Sequence, residues 1–269
     1  MSTSSDVRKN RLLAALADAD LRRWLEQLER VDMPLGQVLY EPGDPLSHVY
    51  FPTTAIASLL GVMENTDPSE IAVVGNEGFV GIALVLGGDS TPSCALVHRA
   101  GHGFRLQAQA MKDELNRGGA VLQLMLRYVQ ASMTQMAQTA VCNRHHLLDQ
   151  QLCRWLLLNL DRQRSNELVM TQELIATMLG VRRAGVTESA SKLQQAGLIR
   201  YSRGRIEVLD RKELERRACE CYSMAKGEYR RLLTPKLVIS ESPTAGNRRS
   251  SISRRFAKQP HNAAALTGL

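Results

Sequence analysis

The sequence lacks an apolar run long enough to cross a membrane, and it lacks an apolar core near its start. A spanning helix needs about 18 or more consecutive apolar residues, and the chain of 269 residues contains no such run. Its first ten residues, MSTSSDVRKN, lack the apolar segment of a secretory signal. These absences predict a cytoplasmic protein without a membrane partner.

Cysteine is sparse, and its distribution argues against a disulfide framework. The cysteines are odd in number and widely spread: Cys94, Cys142, Cys153, Cys219 and Cys221. Reduced thiols are therefore expected. Cys219 and Cys221 are one residue apart, and on a helix this spacing directs two sulfurs to different faces. Packing is thus preferred for this pair over a redox or metal function.

Catalytic and metal-binding patterns are also missing. The sequence contains no phosphate-binding glycine loop, no spaced set of zinc ligands and no nucleophile elbow. His145 and His146 are adjacent and do not converge on a helix, which favours a solvated or capping role. We therefore predict no catalytic residue, no metal and no cofactor, and an enzyme is the least supported class of function.

What the sequence does have is basic charge. The formal net charge is +7 and the isoelectric point is near 9.4, which favours a polyanionic partner. Part of this charge belongs to the segment 234–269, where six basic side chains accompany a single acidic one, Glu241. This segment is rich in Ser, Arg, Asn and Ala, and it is predicted to be a disordered basic tail.

The texture of the sequence changes along the chain and predicts an α+β protein of several parts. Helical apolar spacing fills residues 1–30, and short β-prone runs with Pro and Gly turns fill 31–115, which indicates an antiparallel β-roll. A long helix is predicted over 116–146 and a helical C-terminal domain over 147–225, with one last helix after Glu213.

The predicted long helix carries an apolar stripe. Residues at steps of three and four share one helical face, and the stripe is Leu122, Leu126, Val129, Met133 and Met136. Such a stripe can belong to the core of one chain. Its length after a β-domain, and the two-fold symmetry of operators, favour the seam of a homodimer.

Residues 171–197 have the spacing of a helix-turn-helix. Thr171 is a good N-cap, and Gly180 can take the positive φ of a tight turn. Ala176, four residues before this glycine, is small enough for two helices to cross closely, and Val186, six residues after it, can fill the angle between them. A strand–turn–strand pattern with Gly204 in the turn follows, which predicts a wing.

Arginines stand at the two places where a winged helix-turn-helix meets a duplex. Arg182 and Arg183 begin the second helix, whose N-terminal residues lie nearest the bases. Arginine can bind guanine through two donors, and Glu188 can accept from cytosine. Arg203 and Arg205 on the wing would meet phosphates. The predicted DNA-binding residues are Thr171, Arg182, Arg183, Thr187, Glu188, Arg203 and Arg205. The alternative is that Arg182 and Arg183 are ordinary solvent-exposed residues, since pairs of charged residues at the start of a helix commonly lie on surfaces that bind nothing.

At this point the chain resembles the Crp/Fnr superfamily of bacterial transcription regulators. The resemblance is strongest in TQELIATMLGVRRAGVTESASKLQQAGLI and weaker in GQVLYEPGDPLSHVYF, which is similar to the early strands of a cyclic-nucleotide-binding β-roll. It implies a β-roll sensor domain, a dimerisation helix and a winged helix-turn-helix, in that order. Its recognition helix departs from the family pattern at Ala184 and Glu188, which implies a different target sequence.

The region of the family's nucleotide site departs further. The family's carboxylate and arginine for a cyclic nucleotide are absent from Gly81-Ile82-Ala83 and Ser93-Cys94-Ala95. Cyclic AMP binding by the usual mode is therefore not expected, and an effector at this degenerate pocket stays unidentified. Oxygen-sensing relatives carry several N-terminal cysteines, whereas the first cysteine here is Cys94, so an iron–sulfur cluster is not expected either.

These observations predict a homodimeric transcription regulator that binds a pseudo-palindrome in double-stranded DNA. RNA polymerase is a further expected partner if the protein is an activator, and a small-molecule effector stays open. The alternative is a β-roll signalling module whose winged helix binds protein. The positive charge of Arg182 and Arg183 argues against this alternative, whereas the negative charge of Glu188 on the same helix weakens that argument.

Overall fold

A computed structural model describes residues 4–234, so all but the first residue of the predicted tail 234–269 lies outside the described part. No helix of the described part is long and apolar enough to span a membrane. Its helices are α1 Ser4–Val7, α2 Arg11–Ala14, α3 Asp18–Leu25, α4 Ile82–Val85, α5 Ala108–Arg117, α6 Gly119–His145, α7 Leu148–Leu160, α8 Gln172–Leu179, α9 Arg183–Gln195, α10 Arg211–Arg217 and α11 Glu220–Leu233. Its strands are β1 Glu29–Met33, β2 Val38–Tyr40, β3 His48–Pro52, β4 Ile56–Met63, β5 Thr66–Val74, β6 Ser93–Arg99, β7 Gly101–Gln107, β8 Glu167–Val169, β9 Ile199–Ser202 and β10 Arg205–Val208.

The seven strands from β1 to β7 form the predicted β-roll. One antiparallel sheet has the order β1-β7-β3 and the other the order β2-β6-β4-β5. Side chains alternate across the second sheet, so Leu59 and Val74 face the inside of the roll while Leu60 and Val73 face away from it. The α+β class predicted from the sequence is confirmed.

The outer face of the four-stranded sheet packs against the C-terminal helices. Ile56, Leu60, Val73 and Cys94 share one core cluster with α7 and with the helices that follow it. The side chains of α7 from Leu152 to Leu160 are all buried. The roll and the C-terminal domain of one protomer are therefore joined through a common apolar core.

The N-terminal segment is divided more finely than the sequence suggested. The sequence predicts a helical segment over residues 1–30, whereas the structure has three short helices there, and β1 begins at Glu29. Asn10 explains the first division, because its Oδ1 accepts from the backbone N–H groups of Leu12 and Leu13 and so begins α2. Its Nδ2 donates to two carbonyls of the roll, which anchors the segment there.

The last helix predicted after Glu213 is in fact two helices. Ala218 and Cys219 both have extended backbone, with ψ of 152° and 165°. The break allows α10 to pack on α7 while α11 turns back along α6. Cys219 thereby becomes the N-cap residue of α11 rather than a residue inside a helix.

Candidate nucleic-acid interface

The helices α8 and α9 are joined by a tight turn of the predicted kind. Thr171 Oγ1 accepts from the backbone N–H of Leu174 at 3.1 Å and so caps α8. Gly180 has φ of 65°, which a side chain would disfavour. Ala176 and Val186 are buried at 3% and 0% exposure where the helices meet. The small–glycine–branched spacing seen in the sequence thus corresponds to close helix packing.

Opposite this buried side, α9 presents a polar face to solvent. Val186, Ala190 and Leu193 point into the core. The exposed residues of the helix and its N-cap are Arg182, Arg183, Ala184, Thr187, Glu188, Ser191, Lys192, Gln194 and Gln195. The predicted DNA-binding residues of this helix therefore lie together on one accessible face, with Arg182 at the N-cap and Arg183 in the first turn.

The polar groups of this face are held by weak, exposed contacts. Arg183 Nε lies 3.8 Å from Glu173 Oε2, and Thr187 Oγ1 donates to Gln172 Oε1 at 2.7 Å. Glu188 pairs with Lys192 one turn on at 2.8 Å, and this hydrogen bond raises the pKa of Lys192. Exposed pairs contribute about 0–1 kcal/mol each, so an anionic partner can displace them at little cost.

The wing is a three-stranded sheet rather than the predicted hairpin alone. Its order is β8-β10-β9, so β8 adds a third strand to the two strands of the hairpin. Arg203 and Gly204 form the two-residue turn, with φ of 48° and 75°. Arg203 is exposed at the tip, and Arg205 pairs with Glu167 on β8 at 3.0 Å. Both wing arginines are accessible.

Sequence reasoning missed two residues beside the recognition face. Gln172 and Glu173 at the start of α8 contact Thr187 and Arg183, so they help to orient these side chains. The signal was available, because the cap at Thr171 already placed them in the first turn of α8. Thr171, itself predicted to bind DNA, is exposed, but its hydroxyl is engaged in that cap.

The apolar stripe of α6 is only partly accessible. Leu126 and Met133 are exposed at 39% and 57%, and Leu122 and Met136 are half-buried. Val129 is different, because it is 3% exposed and packs within the core of its own protomer. The prediction that Val129 belongs to an intersubunit seam is therefore wrong. Val141, which the prediction omitted, is 47% exposed further along the helix.

The predicted effector region is divided between two environments. Gly81 precedes α4 with φ of 111°, and a side chain there would lie 3.0 Å from Val49. Ser93 and Cys94 begin β6, and the Cys94 side chain packs in the cluster shared with α7 rather than inside the roll. A cavity of about 380 Å³ lies elsewhere, among Arg11, α7 and α11, and none of the predicted effector residues lines it.

Comparison with known proteins supports the same interpretation of residues 171–208. Residues 150–217 match the family model of the Crp-like helix-turn-helix domain. No curated protein matches the chain.

Several solved structures have a similar fold. FixK2 from Bradyrhizobium japonicum has a TM-score of 0.61 at 13% identity, with coverage of 71% of this chain and 98% of that one. A Crp/Fnr-family transcriptional regulator from Thermus thermophilus has a TM-score of 0.57 at 21% identity, with coverage of 71% and 98%. The c-di-GMP-responsive regulator CLP from Xanthomonas campestris has a TM-score of 0.58 at 15% identity, with coverage of 72% and 100%.

Proposed function

We propose that this chain, which has the fold of the Crp/Fnr transcription regulators and carries a Crp-like helix-turn-helix domain, is a cytoplasmic, non-enzymatic regulator that binds a pseudo-palindromic operator as a homodimer. The observation that carries the proposal is the exposed face of α9. It begins with Arg182 and Arg183, and Arg203 at the tip of the wing is exposed as well.

Base recognition is assigned to the start of α9. In this mode of docking the N-terminal residues of the second helix reach the base edges of the major groove. Arg182 and Arg183 stand there with exposed guanidinium groups, and Thr187 and Glu188 follow one turn later. Arg203 and Arg205 are assigned to the phosphates, where they supply affinity without sequence choice.

The accessible part of α6 supports the homodimer. Leu126, Met133 and Val141 are large apolar side chains left exposed by the protomer, at intervals of seven and eight residues. Such intervals keep side chains on one face of two paired helices. A two-fold assembly would present two α9 helices about 34 Å apart, one turn of DNA.

Selection from randomised duplexes tests the proposal. We expect a selected two-fold site and a loss of at least tenfold in affinity for Arg183→Ala, because each bidentate arginine contributes about 1–3 kcal/mol and the dimer loses two of them. Arg22→Ala is the matched control, since Arg22 is an exposed arginine on α3. No enriched palindrome, together with equal affinity of the two variants, would reject the proposal.

The salt dependence of binding separates DNA from a protein partner. Affinity for a duplex should fall steeply between about 50 and 200 mM salt, because bound arginines release counterions from the phosphates. A flat response would favour the alternative in which the winged helix binds protein. An activator would also need RNA polymerase as a partner, and an effector would act by binding one orientation of the helix-turn-helix domains more tightly.

A further inference from the structure

Four potential metal ligands converge where the end of α6 meets the start of α11. Cys142 and His146 are one helical turn apart, and Cys219 and Cys221 come from the N-cap and first turn of α11. The ligand atoms of all four lie within 4.8 Å of one another. The prediction that the two sulfurs of Cys219 and Cys221 diverge is wrong, because Cys219 precedes the helix and has extended backbone.

The separations of these atoms suit one tetrahedral ion. Cys142 Sγ lies 3.4 Å from Cys219 Sγ, and Cys221 Sγ lies 3.5 Å from His146 Nδ1. A tetrahedral zinc ion has Zn–S bonds of about 2.3 Å and Zn–N bonds of about 2.0–2.1 Å, which place neighbouring ligands about 3.5–3.8 Å apart. Shifts of a fraction of an ångström in the side chains would meet this geometry.

His146 is oriented as a metal-binding histidine is. Its Nδ1 faces the thiols, while its Nε2 lies 3.3 Å from the Glu220 carboxylate. A proton on Nε2 can be donated to Glu220, which leaves the lone pair of Nδ1 directed at the cluster. A carboxylate behind a ligating imidazole is the usual second partner of such a histidine, fixing its ring and its tautomer.

The surroundings of the three cysteines also favour an ion over simple packing. Cys142, Cys219 and Cys221 are 0%, 4% and 1% exposed, and they form a small cluster apart from the larger apolar cores. The buried guanidinium of Arg154 acts electrostatically on Cys142 and Cys221, and its Nε has no hydrogen-bond partner within residues 4–234. Three thiolates around a divalent ion carry one net negative charge, which this guanidinium would balance.

We infer that Cys142, His146, Cys219 and Cys221 form a closed tetrahedral zinc site, with Glu220 as the positioning residue of the histidine. Three thiolates and one imidazole are ligands that Zn²⁺ accepts in structural sites. An iron–sulfur cluster fits less well, because its thiolates bind separate irons, whereas these four ligands converge on one point. The site joins the end of α6 to α11 beside the α6–α7 junction, and its effect on DNA binding rests on the proposed function.

Metal analysis of the full chain, purified under reducing conditions without a polyhistidine tag, tests the site. We expect about one zinc per chain, lost in Cys142→Ser, Cys219→Ser, Cys221→Ser and His146→Ala. The matched control is Cys94→Ser, which removes a buried cysteine outside the cluster and should keep its zinc. Sub-stoichiometric zinc after incubation with excess Zn²⁺, or full zinc in a Cys142→Ser/Cys219→Ser double variant, would overturn the inference.

Cobalt substitution tests the ligands in the wild-type chain, where loss of folding in a variant has no influence. Co²⁺ added to protein stripped with a chelator should give the intense visible bands of tetrahedral thiolate coordination. Glu220→Gln should keep the stoichiometry and weaken affinity by about 10–100-fold. A cobalt spectrum without thiolate bands would reject the site, as would protein that is purified without any chelator and nevertheless holds no metal and has lost two titratable thiols to a Cys142–Cys219 disulfide. Neither readout depends on DNA, so failure here is distinguishable from failure of the proposed function.

Discussion

Two regions of the molecule hold their polar side chains in opposite environments: the exposed face of α9, and the buried contact between the four-stranded sheet and α7. On α9 the charged groups form pairs that are more than half exposed, such as Glu188 with Lys192. At the sheet the polar groups are buried and bonded to one another. Ser58 Oγ contacts Glu70 and lies 2.6 Å from His98 Nδ1, and His98 Nε2 lies 2.7 Å from Asn159 Oδ1 on α7.

This difference separates binding from stability. Exposed ion pairs contribute about 0–1 kcal/mol, so substitutions on α9 should change binding and leave the fold intact. A buried polar group left without its partner costs about 1–3 kcal/mol. Substitutions at the sheet–α7 contact should therefore lower the stability of the fold without a direct effect on DNA contacts. The predictions below test this division, beginning with the largest expected effect.

Gly78 is a buried residue in the loop between β5 and α4. A Cβ atom there would lie 2.0 Å from Cε2 of Tyr128, a fully buried ring whose hydroxyl donates to Phe79 O at 3.1 Å. The ring has no room to move, so Gly78→Ala should lower the free energy of unfolding by about 3 kcal/mol. Urea denaturation measures the change.

Gly227 provides the matched control for Gly78. It lies within α11, and no atom stands within 4 Å of the position of its Cβ. Gly227→Ala should therefore leave stability unchanged or raise it by up to about 1 kcal/mol. Equal destabilisation by the two alanines would mean that the loop does not pack against Tyr128 as described.

The buried network should contain two opposite pH dependences of folding stability that cancel each other in the wild type. Burial raises the pKa of Glu70 to about 7 and lowers the pKa of His98 to about 4. Between pH 4.5 and 6.5 the folded state holds one extra proton on Glu70, and the unfolded state holds one extra proton on His98. The first effect lowers stability as pH rises and the second raises it, so the two cancel in the wild type.

Removing either Glu70 or His98 should leave the pH dependence that the remaining side chain gives to the stability. Relative to the wild type, Glu70→Gln should give stability that rises with pH up to about 6.5, with a slope of up to about 1.4 kcal/mol per pH unit. His98→Gln should give the opposite slope, continuing to about pH 7. Denaturation at several pH values measures both, with the exposed carboxyl of Glu64 replaced by Gln as the control. Parallel curves for all variants would contradict the account.

Features that depend on neighbouring residues in the chain could be predicted from the sequence, whereas features that depend on distant residues could not. The turn at Gly180 was predictable because its signals, a cap at Thr171 and small or branched residues at fixed offsets, are local. Strand β8 was missed because Leu168 becomes part of a strand only by pairing with Ile206. The break at Cys219 was missed for a similar reason. It depends on α11 packing against α6, so Cys219 meets Cys142, which is 77 residues away in the chain.

Substitution of Arg203, an exposed residue of the wing, has the smallest expected effect on stability. It is the one non-glycine residue with positive φ within the described residues 4–234, and it occupies a turn position that Asn tolerates better. Arg203→Asn should therefore leave stability unchanged or raise it by up to about 1 kcal/mol, since the strain of a left-handed side chain is relieved. If the guanidinium contacts a phosphate, the same variant should reduce the salt slope of duplex affinity by about 2, or about 1 for each protomer of the dimer. Arg203→Lys keeps both the charge and the strain, so it should keep the slope without the gain in stability. An unchanged slope in Arg203→Asn would remove the wing tip from the interface and leave DNA contact to α9 and Arg205.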